Sequence, residues 1–208
     1  MIGLDSNGEL CILRPGYKTC YGFEANPVRY NKLIKKYKKY KNMYFFNVAV
    51  SDYDGEINFN ISNNNDGASS SIGNFSEDWL KTQESDGIQM TTKIKVPCIN
   101  LFNFFQRNNI NYIDDYISDI QGMDLQVLKT LRPMIDNKQI GTIRCEVTKD
   151  KYKNIYHDLP DNSERGFLEL LTDNYQLIAK GWGILKDYKF DKISESAWEM
   201  DCKWKLKA

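Results

Sequence analysis

Four acidic residues stand where chemistry could be done. Asp5, Glu24, Asp119 and Glu146 each close a short apolar run that reads as a β-strand. In an open parallel sheet, ligands bind outside the carboxyl ends of the strands. A single acid at such a place merely opens a turn, but four in equivalent places describe a candidate site. One spacing sharpens it. Asp5-Ser6-Asn7-Gly8 is a polar turn, and Glu24 lies 19 positions beyond Asp5. The glycine lets backbone approach a ligand closely. An acid about 20 residues further on is placed to accept hydrogen bonds from two ribose hydroxyls, which an acceptor-only carboxylate does well. The turn holds one glycine, whereas seating a pyrophosphate calls for G-x-G-x-x-G. A dinucleotide-dependent oxidoreductase is therefore the weaker of the enzymatic readings.

These acids need strands and helices to position them. Residues 1–4 read as a buried strand and 19–23 (TCYGF) as a second. Asn26-Pro27 has the chemistry of a helix start, predicting a helix over 27–40 with Val28, Leu33, Ile34 and Tyr37 on one face. A third strand is predicted over 43–50, a hairpin strand over 56–61 and another strand over 91–97. Residues 62–87 are dominated by turn formers and read as a long loop, functional or disordered. Asn100 caps a short helix, LFNFFQR. A strand over 112–120, a helix over 123–135 and a strand over 140–147 follow. The remainder predicts a helix over 163–172 and strands over 175–179 and 197–206, able to pair as an edge hairpin. This alternation argues for an α/β fold with a mainly parallel sheet. Residues 1–208 read as a single domain, with 1–147 as its ligand-binding core and 148–208 adding a helix and edge strands.

Composition removes several classes of function. The 208 residues carry 28 basic and 28 acidic side chains, a balance that disfavours nucleic acid as a partner. The run KKYKKYK reads as a solvated helix end rather than a nucleic-acid contact. No apolar run approaches a membrane span and no signal peptide is evident, so a cytoplasmic protein without a membrane partner is expected. The five cysteines are scattered, with no CxxC pair, and read as reduced thiols. The lone His157 reads as a solvated loop residue. No metal is called for, and the oligomeric state is left open.

The blocks YGFEANP, NVAVSDYDGEINFN, GASSS and YISDIQGMDLQVLKTL, in that order, resemble the FkbM family of S-adenosylmethionine-dependent methyltransferases. The resemblance spans residues 1–147 and is looser beyond. It implies a Rossmann-like class I methyltransferase fold: a mostly parallel seven-stranded sheet with an antiparallel final strand and helices on both faces. It implies S-adenosylmethionine as cofactor, with Asp5, Asn7 and Gly8 on its methionine side. Glu24 would then hold the ribose, with Asn26 nearby. Ala49 to Asp52, Ser51 among them, would flank the adenine, and Asp119 and Gln121 would face the reacting centre. Two departures stand out: the first turn is compressed to DSNG, and Gln121 occupies a position where the family generally has glutamate.

The implied chemistry is an in-line methyl transfer, in which the protein aligns the acceptor and excludes water. A hydroxyl acceptor on a sugar, glycan or small metabolite would benefit from a base. Asp119 is the first candidate and Glu146 the second, with Ser69, Ser70 and Ser71 as a candidate lid or acceptor wall. A non-catalytic methyltransferase-like binding module is the alternative from another class.

Overall fold

The computed structural model describes residues 19–82, 87–152, 154–183 and 195–208. The predicted strand over 1–4, the turn bearing Asp5, Asn7 and Gly8, and Cys11 lie outside the described residues. The first crossover runs from β1 (Cys20–Phe23) through α1 (Pro27–Tyr37) to β2 (Met43–Phe46), which lies parallel to β1. Asn26 caps α1, its Oδ1 accepting from the N–H groups of Val28 and Arg29, with Pro27 in the first turn. The buried face of this helix is Arg29, Leu33 and Tyr37, whereas the predicted face included Val28 and Ile34, both exposed. An arginine takes the inward position because partners wait for it there, as described below. The lysines of KKYKKYK are solvated, two of them lying over the rings of Tyr37 and Tyr40.

The single strand predicted over 43–50 is two strands. Asn47 Nδ2 donates to the carbonyls of Glu24 and Ala25, turning the chain after β2. β3 (Ala49–Ser51) then joins a different ladder, pairing parallel with β5 (Met90–Asn100), while β4 (Gly55–Ser62) runs antiparallel to β5. Asn100 ends β5 and caps α3 (Leu101–Arg107). α2 (Glu77–Thr82) falls inside the stretch predicted as loop, anchored by the buried Trp79, which stacks on Phe75.

The largest ladder has the order β6-β7-β9-β8. β6 (Ile113–Ser118) and β7 (Ile140–Thr148) are parallel, and β9 (Glu199–Leu206) inserts antiparallel between β7 and β8 (Tyr175–Gly181). The last strand is thus antiparallel, as expected. The α/β class holds, but the expectation of one mostly parallel seven-stranded sheet does not. The described strands form ladders of two, three and four, and their six pairings divide equally between parallel and antiparallel. The β4–β5 hairpin is one physical source of the departure, whereas the antiparallel β9 was expected and the strand predicted over 1–4 lies outside the described residues.

The helix predicted over 123–135 is also two, α4 (Asp124–Thr130) and α5 (Arg132–Asp136), broken at Leu131. Pro133 has no N–H to give and its ring excludes a carbonyl four residues back. Leu125, Val127, Leu128, Leu131 and Ile135 pack with Ile143, Phe167 of α6 (Glu164–Leu171) and Trp204 in one core. Across β6 and β7, Arg144 Nη2 meets Asp115 Oδ2 at 2.7 Å, both side chains buried. Cys98, Cys145 and Cys202 are buried free thiols, and Cys20 is half-buried. No helix among the described residues is long and apolar enough to cross a membrane.

Candidate active site

A cleft of about 320 Å³ opens at the carboxyl ends of β1 and β6 and beside the start of β3. Glu24 stands at one end. Its Oε1 accepts the Asn26 backbone N–H at 2.7 Å, and its Oε2 lies 3.6 Å from Arg29 Nε. Arg29 Nη1 also donates to the Gly67 carbonyl, tying the 62–72 segment to this rim. Asn26 does not line the cleft; its work is to cap α1 and to present the N–H that fixes Glu24. Ala49 and Val50 line the wall beside it, but Ser51 and Asp52 do not. Ser51 is buried in the β3–β5 ladder and Asp52 is exposed, accepting a hydrogen bond from Gln126. The chain turns away from the cleft two residues sooner than the resemblance implied.

The serine-rich segment is a packed wall. Gly67, Ala68, Ser69 and Ser70 line the cleft, and Ser71 exchanges backbone hydrogen bonds with Asn60. Ser71 is fully buried and its Oγ donates to the Gln121 carbonyl at 2.8 Å. Gly67 is required here. At φ +82° a side chain would be strained, and a Cβ would meet Ser70 Oγ and Asn26 Nδ2.

At the other end, β6 delivers Asp119, Ile120 and Gln121. Gln121 and Gly122 both have positive φ, a bend that throws the Gln121 side chain back across the rim. Its Nε2 donates to Asp119 Oδ1 at 2.6 Å and to Glu146 Oε2 at 3.0 Å, while its Oε1 accepts the Tyr156 hydroxyl at 2.8 Å. The Asp119 oxygen at 2.6 Å, an acceptor, fixes which end of the amide is which. A glutamate here would add a third like charge, whereas the amide offers two donors to two acids. The departure from the family pattern at Gln121 is thus a clamp on Asp119 and Glu146.

A further acid, Glu199, completes this end. Glu146 is buried, and burial, reinforced by Asp119 and Glu199, pushes its carboxyl well above the ordinary range. Glu199, the first residue of β9, also lines the cleft and is pushed up by burial and then by Asp119 and Asp124. The residue is only partly covered, but its Oε1 is sealed from solvent with no hydrogen-bond partner among the described residues. Burial likewise holds the Tyr156 hydroxyl protonated, the state its donation to Gln121 requires. No group of three or more side chains among the described residues is arranged to hold a metal ion.

Asp124, at the start of α4, supports the bend from beneath. Ser118 Oγ donates to its Oδ1, and the Ile120 N–H approaches both oxygens. Burial is the main cause raising this carboxyl to about 7, and the Asp119 charge adds to it. Its folded value lies above the unfolded one, so the folded protein binds this proton more tightly. The resulting stability is complete below about pH 4 and is lost as pH rises through 7. The melting temperature should therefore fall between pH 5 and pH 8, and Asp124→Asn should flatten that slope. A scan of Tm against pH with equal slopes for the two proteins would contradict the assignment.

The model of the methyltransferase FkbM domain matches residues 6–172. The chain belongs to the FkbM methyltransferase family. Among solved structures, 99% of the chain aligns with methyltransferase FkbM from Methylobacillus flagellatus KT, at 10% identity and a TM-score of 0.50. That likeness is one of fold, and the chain spans 42% of that protein's length. N-methyltransferase NodS from Bradyrhizobium japonicum WM9 aligns at 10% identity and a TM-score of 0.44, over 99% of this chain and 83% of its own. A search of curated proteins finds no match. Within the FkbM frame, Glu24, Asp119, Gln121 and Glu146 fall inside the matched segment, and Glu199 falls outside it.

Sequence reasoning singled out Glu24, Ala49, Asp119, Gln121 and Glu146, and all five line one cleft. It missed Arg29 and Glu199. A signal for Glu199 existed. An antiparallel last strand begins at the rim where its parallel neighbour ends, and Glu199 pairs with Thr148 at the end of β7.

Proposed function

We propose that this FkbM-family protein is an S-adenosylmethionine-dependent methyltransferase that methylates a hydroxyl of a sugar, glycan or small metabolite. One observation carries the reading: a single cleft holds Glu24 at one end and the Gln121-clamped pair Asp119 and Glu146 at the other. The residues fit the cofactor. Glu24 offers carboxylate acceptors for ribose hydroxyls, Ala49, Val50 and Met123 bound an apolar strip for the adenine, and the acidic end suits a cation. S-adenosylmethionine, when bound, supplies a methyl group on a cationic sulfur that departs as a neutral thioether.

The chain's own residues have three tasks. Glu24, fixed by the Asn26 N–H, sets the register of the nucleoside. The wall from Gly67 to Ser70, tied down through Arg29 and Ser71, excludes water from the cleft. Asp119 and Glu146, bridged by one amide, orient the acceptor hydroxyl. In this reading residues 1–208 act as one domain.

Titration calorimetry with S-adenosylhomocysteine and with NAD tests the reading. Saturable binding of the first, with NAD failing to compete at a hundredfold excess, is the expected result. Binding of NAD to the same cleft, or of neither compound, would overturn it.

A further inference from the structure

We propose that Glu199, a residue beyond the segment the family model matches, is the proton acceptor of the methyl transfer, receiving the hydroxyl proton on its carboxylate. The inference rests on the cofactor reading above and deepens it. The other two acids at this end each have an oxygen committed to the Gln121 amide: Asp119 Oδ1 and Glu146 Oε2. Glu199 Oε1 is different. The residue lines the cleft, and this oxygen is closed to solvent and accepts no hydrogen bond among the described residues. A buried carboxylate oxygen with no donor is costly unless a ligand supplies one. The backbone holds it in place, since Glu199 starts β9 in register with Thr148.

Charge explains when the proton moves. The groups acting on Glu199 are Asp119 after β6, Asp124 on α4 and Asp201 on β9, all acidic, and its own charge acts in turn on Glu146 of β7 and on Tyr156. The Arg29–Glu24 pair stands at the opposite end of the same cleft. Several carboxyls this close do not all ionise near neutrality unless a cation joins them. A bound sulfonium would supply that cation and favour the carboxylate form of Glu199. As the acceptor oxygen bonds to the methyl carbon, the carbon–sulfur electron pair stays on sulfur and the positive charge vanishes. The acids then regain their affinity for a proton at the moment the hydroxyl releases one. One methyl and one proton change hands, and nothing is oxidised or reduced.

The test compares S-adenosylmethionine with S-adenosylhomocysteine, which differ in the sulfur's charge. Calorimetry in buffers of different ionisation enthalpy counts the protons each releases on binding at pH 7. S-adenosylmethionine should release more, and Glu199→Gln should remove at least half of that excess. The same variant should lower the affinity for S-adenosylmethionine relative to S-adenosylhomocysteine by about tenfold. It should not lower the Tm, because it removes a like charge from a crowded set. Equal proton release for the two ligands in the wild-type protein overturns the proposal without any variant, while leaving the cofactor reading intact. So does an excess unchanged in Glu199→Gln. Failure of both ligands to bind overturns the cofactor reading, and this inference with it.

Discussion

Arg144→Ala is expected to destabilise the protein by about 3–5 kcal/mol, the usual cost of removing one partner from a buried ion pair. Arg144 on β7 is fully buried, and its Nη2 lies 2.7 Å from Asp115 Oδ2 on β6. The other oxygen of Asp115 accepts from Thr142 Oγ1, so this carboxylate is held in one position. Taking away the guanidinium leaves a charge in a dry layer between two strands, which is worse than losing the pair as a whole. The double variant Arg144→Met/Asp115→Leu should therefore recover most of the loss, because apolar replacement of a buried pair is often neutral. Urea denaturation of the three proteins measures this directly. A loss under about 1 kcal/mol for Arg144→Ala, as for a solvent-exposed pair, would show that water reaches the site. The pair bears on function because the strands it joins carry Asp119 and Glu146 just beyond it.

What the sequence made legible follows from which interactions are local. The caps at Asn26 and Asn100 were readable because side chain and helix start are adjacent in the chain, and both begin helices where they were placed at the outset. Glu24 was readable because strand-end acids follow from periodicity and a turn. Interactions between distant segments were not readable. The break between β2 and β3 depends on Asn47 reaching the carbonyls of Glu24 and Ala25, more than 20 residues away. The inward turn of Arg29 depends on the Gly67 carbonyl, and the order of the serine-rich wall on Asn60 and Gln121. The same holds for Gln121, where a departure that looked like a lost acid becomes a donor once Asp119, Glu146 and Tyr156 surround it.

Glu24→Gln should weaken the binding of S-adenosylhomocysteine by about 10- to 100-fold, since hydrogen bonds to a charged group contribute about 1.5–3 kcal/mol each. Glutamine matches glutamate in shape, so an oxygen remains to accept the Asn26 N–H and the start of α1 is kept. What is lost is the second acceptor. Two neighbouring ribose hydroxyls need two acceptors side by side, and an amide offers one acceptor and one donor. Arg29 also loses its carboxylate at 3.6 Å, but its Nη1 retains the Gly67 carbonyl, so the wall stays attached. Glu24→Ala should bind as poorly and melt lower, because the Asn26 N–H then has no acceptor there. The contrast separates recognition from support: both variants lose the ligand, and only the alanine loses the turn. Calorimetry and a thermal melt on each variant read the two quantities independently. If Glu24→Gln binds S-adenosylhomocysteine as tightly as the wild type does, the ribose is not held at this end of the cleft, and the orientation that points the cofactor's sulfur toward Asp119, Glu146 and Glu199 falls with it.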